Sequence, residues 1–161
     1  MNTEKQYIIR PPQTADEWRQ VRQLLIDYKN EFEDDTCFTS FEAELNNIEE
    51  LYAGPDKAKL IAVEEPGGRV VGCVAFRTWS PGVAEMKRLY VIPSHRGLHL
   101  GARLAEEVIT LARKQQYQRM ILDTMHAMKD AQALYKRMGF HEMEPYNGQD
   151  SDKVICFEKE L

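Results

Sequence analysis

"VIPSHRGLHLGARL", Val91 to Leu104, sets two glycines and an arginine where an apolar repeat of helical spacing begins. Leu100, Leu104, Val108, Leu111 and Ala112 carry that repeat along one face, and "VAEMKRLYV" before it has the composition of a strand. The stretch is thus a strand-to-helix junction. The first N–H groups of a helix lack internal partners and hold the positive end of its dipole. Amides leading into such a helix can hold a pyrophosphate; Arg96 adds a formal charge, and glycine lets the backbone come close. Pro93, Ser94 and Gly97 would serve equally well as punctuation around a surface helix. The stretch by itself fits both readings.

The rest of the chain gives the junction its setting. "YIIR" (Tyr7 to Arg10) is a short strand stopped by Pro11 and Pro12. Thr14 and Glu17 form a capping box ahead of Trp18, Val21, Leu25 and Tyr28; Thr39 and Glu42 repeat the signature ahead of Phe41, Leu45, Ile48 and Tyr52. "KLIAVEE" and "RVVGCVAFRTW" are strands joined at "PGG", and "SPG" turns the chain into "VAEMKRLYV". After the junction helix come the strand "RMILDT", a helix marked by Ala127, Ala131, Leu134 and Met138 and ended by Gly139, and the strand pair "HEMEPY" and "VICFEKEL". The expected order is β-α-α-β-β-β-α-β-α-β-β. That makes a mixed α/β (α+β) fold with a mostly antiparallel central sheet flanked by helices and one parallel crossover.

Bulk properties narrow the function. At 161 residues the chain is read as one domain, residues 1–161, large enough for a core of its own. A net charge of -5 argues against general nucleic-acid binding. No apolar run approaches the length of a membrane span, and no secretory leader pattern opens the chain. Cys37, Cys73 and Cys156 make no paired framework, so a cytoplasmic location is expected. His95, His99, His126 and His141 lack metal-ligand spacing, and no metal is expected.

Two familiar phosphate loops fail on the residues. No Gly-Lys-Ser/Thr occurs. Gly97 and Gly101 are spaced GxxxG after several strands and helices, not GxGxxG after a first strand, so Asp123 is not the ribose ligand of a dinucleotide fold. What "RLYVIPSHRGLHLGARLAEEVITLARKQQYQRMILDT" followed by "AQALYKRMGF" does resemble is the GNAT N-acetyltransferase superfamily. Its Arg/Gln-x-x-Gly-x-Gly/Ala motif maps to Arg96, His99 and Gly101, and its Leu-Tyr-x-x-x-Gly-Phe motif to Leu134, Tyr135, Gly139 and Phe140; the order of elements agrees along nearly the whole chain. His99 replaces the first motif glycine, and Met128 stands where many relatives carry asparagine. With ordinary helical dihedrals His99 would keep its N–H on the phosphate.

The resemblance implies acetyl-CoA as acetyl donor. The main chain of Leu89, Tyr90 and Val91 would pair with the pantetheine arm and supply a donor to the thioester oxygen. The amides of Arg96, Gly97, Leu98, His99, Leu100, Gly101 and Ala102 would hold the pyrophosphate. Tyr135 is the acid for the departing thiolate, a phenol being protonated at neutral pH, though its helix position also suits a packing ring. Glu85 matches a family position for a general base; it could equally be an exposed strand residue opposite Arg77 or Lys87. The segment Glu31 to Leu45 would wall the acceptor, with Glu33, Asp34 and Asp35 drawing in a cationic amine, unless it is only a solvated acidic loop. The expected acceptor is a small amine, amino-acid-like or polyamine-like. A protein N-terminus or lysine, and a CoA-binding module without turnover, are the rival readings, and a homodimer is left open.

Overall fold

The computed structural model describes residues 6–32, 41–54, 58–148 and 152–161. The elements run β1 (Ile8–Arg10), α1 (Ala15–Phe32), α2 (Phe41–Asn46), α3 (Ile48–Ala53), β2 (Lys59–Glu64), β3 (Val70–Ser80), β4 (Val83–Val91), α4 (Leu100–Lys114), β5 (Arg119–Met125), α5 (Lys129–Arg137), β6 (His141–Met143) and β7 (Val154–Glu160). The order is the expected one with a single change. The second early helix is two short helices broken at Asn47, whose backbone (φ -124°, ψ 24°) leaves the helical region.

The seven strands form one sheet in the order β1-β2-β3-β4-β5-β7-β6, antiparallel throughout except for β4 beside β5. β3 is buried without alternation from Val70 to Phe76, as a strand covered on both faces must be. α1 and α4 are the helices packed on β3 and β4 and take the two faces. α4 sinks Leu100, Leu104, Ala105, Val108, Ile109 and Ala112 into the core, the larger of these each contributing about 1.5–3 kcal/mol of burial. The cap of α1 keeps the first half of its sequence signature, Thr14 Oγ1 accepting from the Glu17 N–H at 3.1 Å, while Glu17 Oε2 reaches one residue further back and accepts from the Gln13 N–H at 2.6 Å. The second signature includes Thr39, which lies outside the described residues.

Two irregularities in β4 open the sheet near its centre. Pairing with β5 covers only Val83 to Glu85, against Arg119 to Ile121; beyond it the strands part, although β5 stays paired to β7 to its end. Opposite β3 the register passes from Cys73↔Tyr90 to Ala75↔Lys87, so β4 carries one extra residue there. Arg88, with φ 62°, is at that bulge.

Candidate functional site

The fork between β4 and β5 opens into a cavity of about 220 Å³. Its walls take Met86 to Val91 from β4, Asp123 and Thr124 from β5, Tyr28 and Phe32 from α1, and Ala131, Leu134 and Tyr135 from α5. A second cavity, of about 410 Å³, lies at the start of α4 and includes Arg96, Gly97, His99, Leu100, Gly101, Ala102 and Arg137. Val91, Arg96, Gly101, Asp130 and Leu134 belong to both, so the two are halves of one cleft. Ala131 and Leu134 are only half-buried because each leaves part of its surface on this cleft, Ala131 packing against the core on its other side.

At the α4 end the backbone is arranged for an anion. Among the described residues, no acceptor is paired with the N–H groups of Gly97 through Ala102. Six successive free amides at the positive end of a 15-residue helix suit a pyrophosphate. Gly97, at φ 86°, has open space around its Cα. His99 caps α4 in the left-handed region (φ 61°, ψ 20°), so the condition of ordinary helical dihedrals weighed for it from the sequence is not met. The family glycine at this position thus has a conformational reason, and histidine is among the few other residues that tolerate it. Leu98 is exposed and lines neither half of the cleft. Arg96 spends its own N–H on the Pro93 carbonyl at 3.3 Å. Its guanidinium donates to Val91 O and to Glu31 Oε1, each at 2.9 Å, and lies over the Tyr90 ring. To reach an anion at α4 it must let go of Glu31.

At the β4–β5 end, Tyr135 is buried against Phe140 and Phe157, with ring centroids 5.8 and 6.1 Å away, and also faces the cavity. The packing and chemical readings of this residue are compatible. Glu85 is buried, which removes the reading of an exposed strand residue. It does pair with Arg77, as the strand register suggests: Arg77 Nε donates to Oε1 at 2.8 Å, and the Tyr146 hydroxyl donates to Oε2 at 2.7 Å. Glu85 does not line the cavity. Asp123 does, two residues past the last β4–β5 pair, and Asn147 Nδ2 donates to its carboxylate at 2.5 Å. Burial pushes the Asp123 carboxyl above its ordinary value; the Asn147 bond opposes this, the Glu85 charge adds to it, and Arg88 and Lys87 oppose it. Burial also lifts the Tyr146 phenol well above its usual value, helped by the Glu85 and Asp123 charges.

The bulge at Arg88 brings two neighbouring cations to the same side of the strand. Consecutive strand residues normally point to opposite faces. Here Lys87 and Arg88 both reach Glu44 of α2: Arg88 Nε at 2.7 Å and Lys87 Nζ at 3.2 Å. Met128 is buried, and its sulfur accepts from the Thr124 hydroxyl at 3.3 Å and the Tyr28 hydroxyl at 3.8 Å. Glu33, Asp34 and Asp35, expected to steer an amine, lie outside the described residues, as does Cys37; Cys73 and Cys156 are buried free thiols. Among the described residues there is no metal-holding cluster, and no helix is long and apolar enough to cross a membrane.

Sequence reading passed over Arg88, Tyr146 and Asn147, named Lys87 only as a strand neighbour of Glu85, and weighed Asp123 only as a ribose ligand. The one signal available was Asp123 itself, a carboxylate closing the apolar run "MIL".

Residues 18–140 match the acetyltransferase (GNAT) family. An uncharacterized N-acetyltransferase of Schizosaccharomyces pombe is 37% identical over 154 residues, 95% of this chain and 92% of that one. An IAA acetyltransferase of Azospirillum brasilense is 34% identical over 73% of this chain and 77% of its own. Among solved structures, an acetyltransferase from Streptococcus agalactiae shares the fold with a TM-score of 0.82 at 22% identity, covering 98% of this chain and 99% of that one.

Proposed function

The chain belongs to the GNAT acetyltransferase family, and from that premise we propose that it moves the acetyl group of acetyl-CoA directly to the primary amine of a small molecule. The observation that carries this reading is the continuity of the cleft. A run of free amides at one end suits a pyrophosphate, and a narrow cavity bearing a phenol and a carboxylate stands at the other.

The amides of Gly97 to Ala102 hold the pyrophosphate, with Arg96 and Arg137 supplying positive charge beside them. The β4 edge from Leu89 to Val91, which has no strand partner on its β5 side among the described residues, pairs with the amides of the pantetheine arm. One of its N–H groups polarises the thioester carbonyl. Tyr135 donates its phenolic proton to the departing thiolate. For the proton leaving the amine we favour Asp123 over Glu85. Asp123 faces the cavity and its raised basicity suits a base, whereas both oxygens of Glu85 already accept hydrogen bonds. Glu85 then acts from behind, its charge helping to raise Asp123. The small size of the cavity supports a small acceptor over a protein chain.

The test is mass spectrometry of purified protein with acetyl-CoA and a panel of primary amines, paired with Tyr135→Phe. Acetyl transfer to a panel member is expected, and the variant should slow the single-turnover step by at least roughly tenfold while acetyl-CoA affinity persists. Tight acetyl-CoA binding without transfer to any amine would refute catalysis.

A further inference from the structure

Building on the proposed amine acetylation, we infer that the acceptor also carries a carboxylate, and that Lys87 is the residue that receives it. The acceptor is then a zwitterionic amine of amino-acid type.

Because β4 gains a residue at Arg88, two consecutive cations converge on one carboxylate. Arg88 takes Glu44 by two bonds, Nε at 2.7 Å and Nη2 at 3.4 Å. That occupies both Glu44 oxygens with a guanidinium, and Lys87 adds a single contact of 3.2 Å to Oε1. An ammonium has three donors, and one contact uses one of them. The Lys87 side chain is only 18% exposed, and it forms part of the cavity wall. A largely buried ammonium with donors beyond its one ion-pair contact gains from an acceptor in the cavity it borders. Burial holds the Lys87 ammonium below its ordinary value; the Glu44 carboxylate opposes this without offsetting it, and the Arg88 charge adds to the lowering.

The opposite charge stands across the same space. Asp123 comes off β5 beyond the fork, and it lines the same cavity of about 220 Å³. A small cavity with an ammonium on one wall and a carboxylate on the other matches a ligand with the reverse arrangement. Asp123 takes the amine end and Lys87 the acid end. A polyamine would bring a second cation toward Lys87, and an aliphatic monoamine would leave Lys87 with Glu44 as its one carboxylate partner. Specificity would then come from repulsion as well as attraction.

The test compares matched acceptors at saturating acetyl-CoA: amino acids, their carboxamides, and the corresponding decarboxylated amines. For the same side chain, kcat/KM for the acid should exceed that for the amide at least tenfold. Lys87→Met should collapse that ratio, through KM more than kcat, and Lys87→Arg should preserve it; thermal melts of both variants verify folding. An amide or decarboxylated amine used as well as the acid overturns the inference and leaves amine acetylation standing. A Lys87→Met variant that keeps the ratio also overturns it. Bound acetyl-CoA with no transfer to any of the three classes overturns the inference together with the acetylation reading.

Discussion

Replacing Glu44 with glutamine tests the central claim about the cleft wall, that a buried carboxylate on α2 ties down the bulge in β4. The change keeps shape and volume and removes one charge. Side chains of Glu44 and Arg88 are 8% and 4% exposed, so the lost charge leaves Arg88 and Lys87 close together with less compensation. Removing one partner of a buried pair costs about 3–5 kcal/mol. For a chain of this size that lowers Tm by roughly 6–20 °C, at about 2–4 °C per kcal/mol. Urea unfolding followed by circular dichroism reads the loss, and an unchanged m-value shows that the denatured state is not responsible. The pH dependence has a definite sign. Burial pushes the Glu44 carboxyl upward, but the charges and hydrogen bonds of Arg88 and Lys87 outweigh it, and the net position is below the ordinary value. A depressed folded-state pKa gives stability that is present above the unfolded value, about 4.3, and is lost as pH falls through the folded one. The gap between wild type and variant should therefore be full at pH 7 and shrink in acid. Adding Lys87→Met to Glu44→Gln should recover part of the loss, because it removes a repelling neighbour. A loss below about 1 kcal/mol at pH 7, or a gap that does not change with pH, would refute the account.

Three further outcomes are expected. Gly101→Val should weaken acetyl-CoA binding at least tenfold by calorimetry while the protein still folds, since an added Cβ there meets only Leu134 Cδ2 at 3.8 Å; unchanged affinity would remove the close-approach role. His99→Gly should raise stability by up to about 1 kcal/mol and His99→Val should lower it, because left-handed backbone costs roughly 1–2 kcal/mol per ordinary residue; equal melts would deny that conformation in solution. Asp123→Asn should melt higher than wild type at pH 8, with the difference vanishing near pH 3. The raised folded-state pKa of Asp123 favours the fold only while the group is protonated, and that benefit disappears as pH rises.

Much of this molecule was legible in one dimension, for identifiable reasons. The cap at Thr14 and the helix stop at Gly139 depend on neighbours a few residues apart, and the parallel crossover follows from the strand-helix-strand order along the chain; each is found. The end of the cleft proposed to hold the pyrophosphate is legible too, because Arg96 to Ala102 form one continuous loop and helix start. Where local rules had competition, reading was less secure. The period Ala131, Leu134, Met138 looks like a core face, yet Ala131 and Leu134 wall a cleft, since helical spacing reports an apolar side and not what lies against it. The helix expected through Leu45 and Ile48 is cut at Asn47, which leaves the helical region and serves as the N-cap of α3, because an apolar period reports a face and not its interruptions.

The sequence by itself determined the family, the order of elements and the strand-to-helix junction proposed to hold an anion, because those are written in residues adjacent along the chain. Only the tertiary structure decided the arrangement at the end proposed for the acceptor. Glu85 lies beneath Arg77 and Tyr146, Asp123 takes Asn147 and faces the cavity, and Lys87 and Arg88 turn together onto Glu44. Those contacts join residues between 8 and 61 positions apart. They depend on a single extra residue in β4 and on where β4 leaves β5, and neither leaves a trace in the period of side chains along one strand.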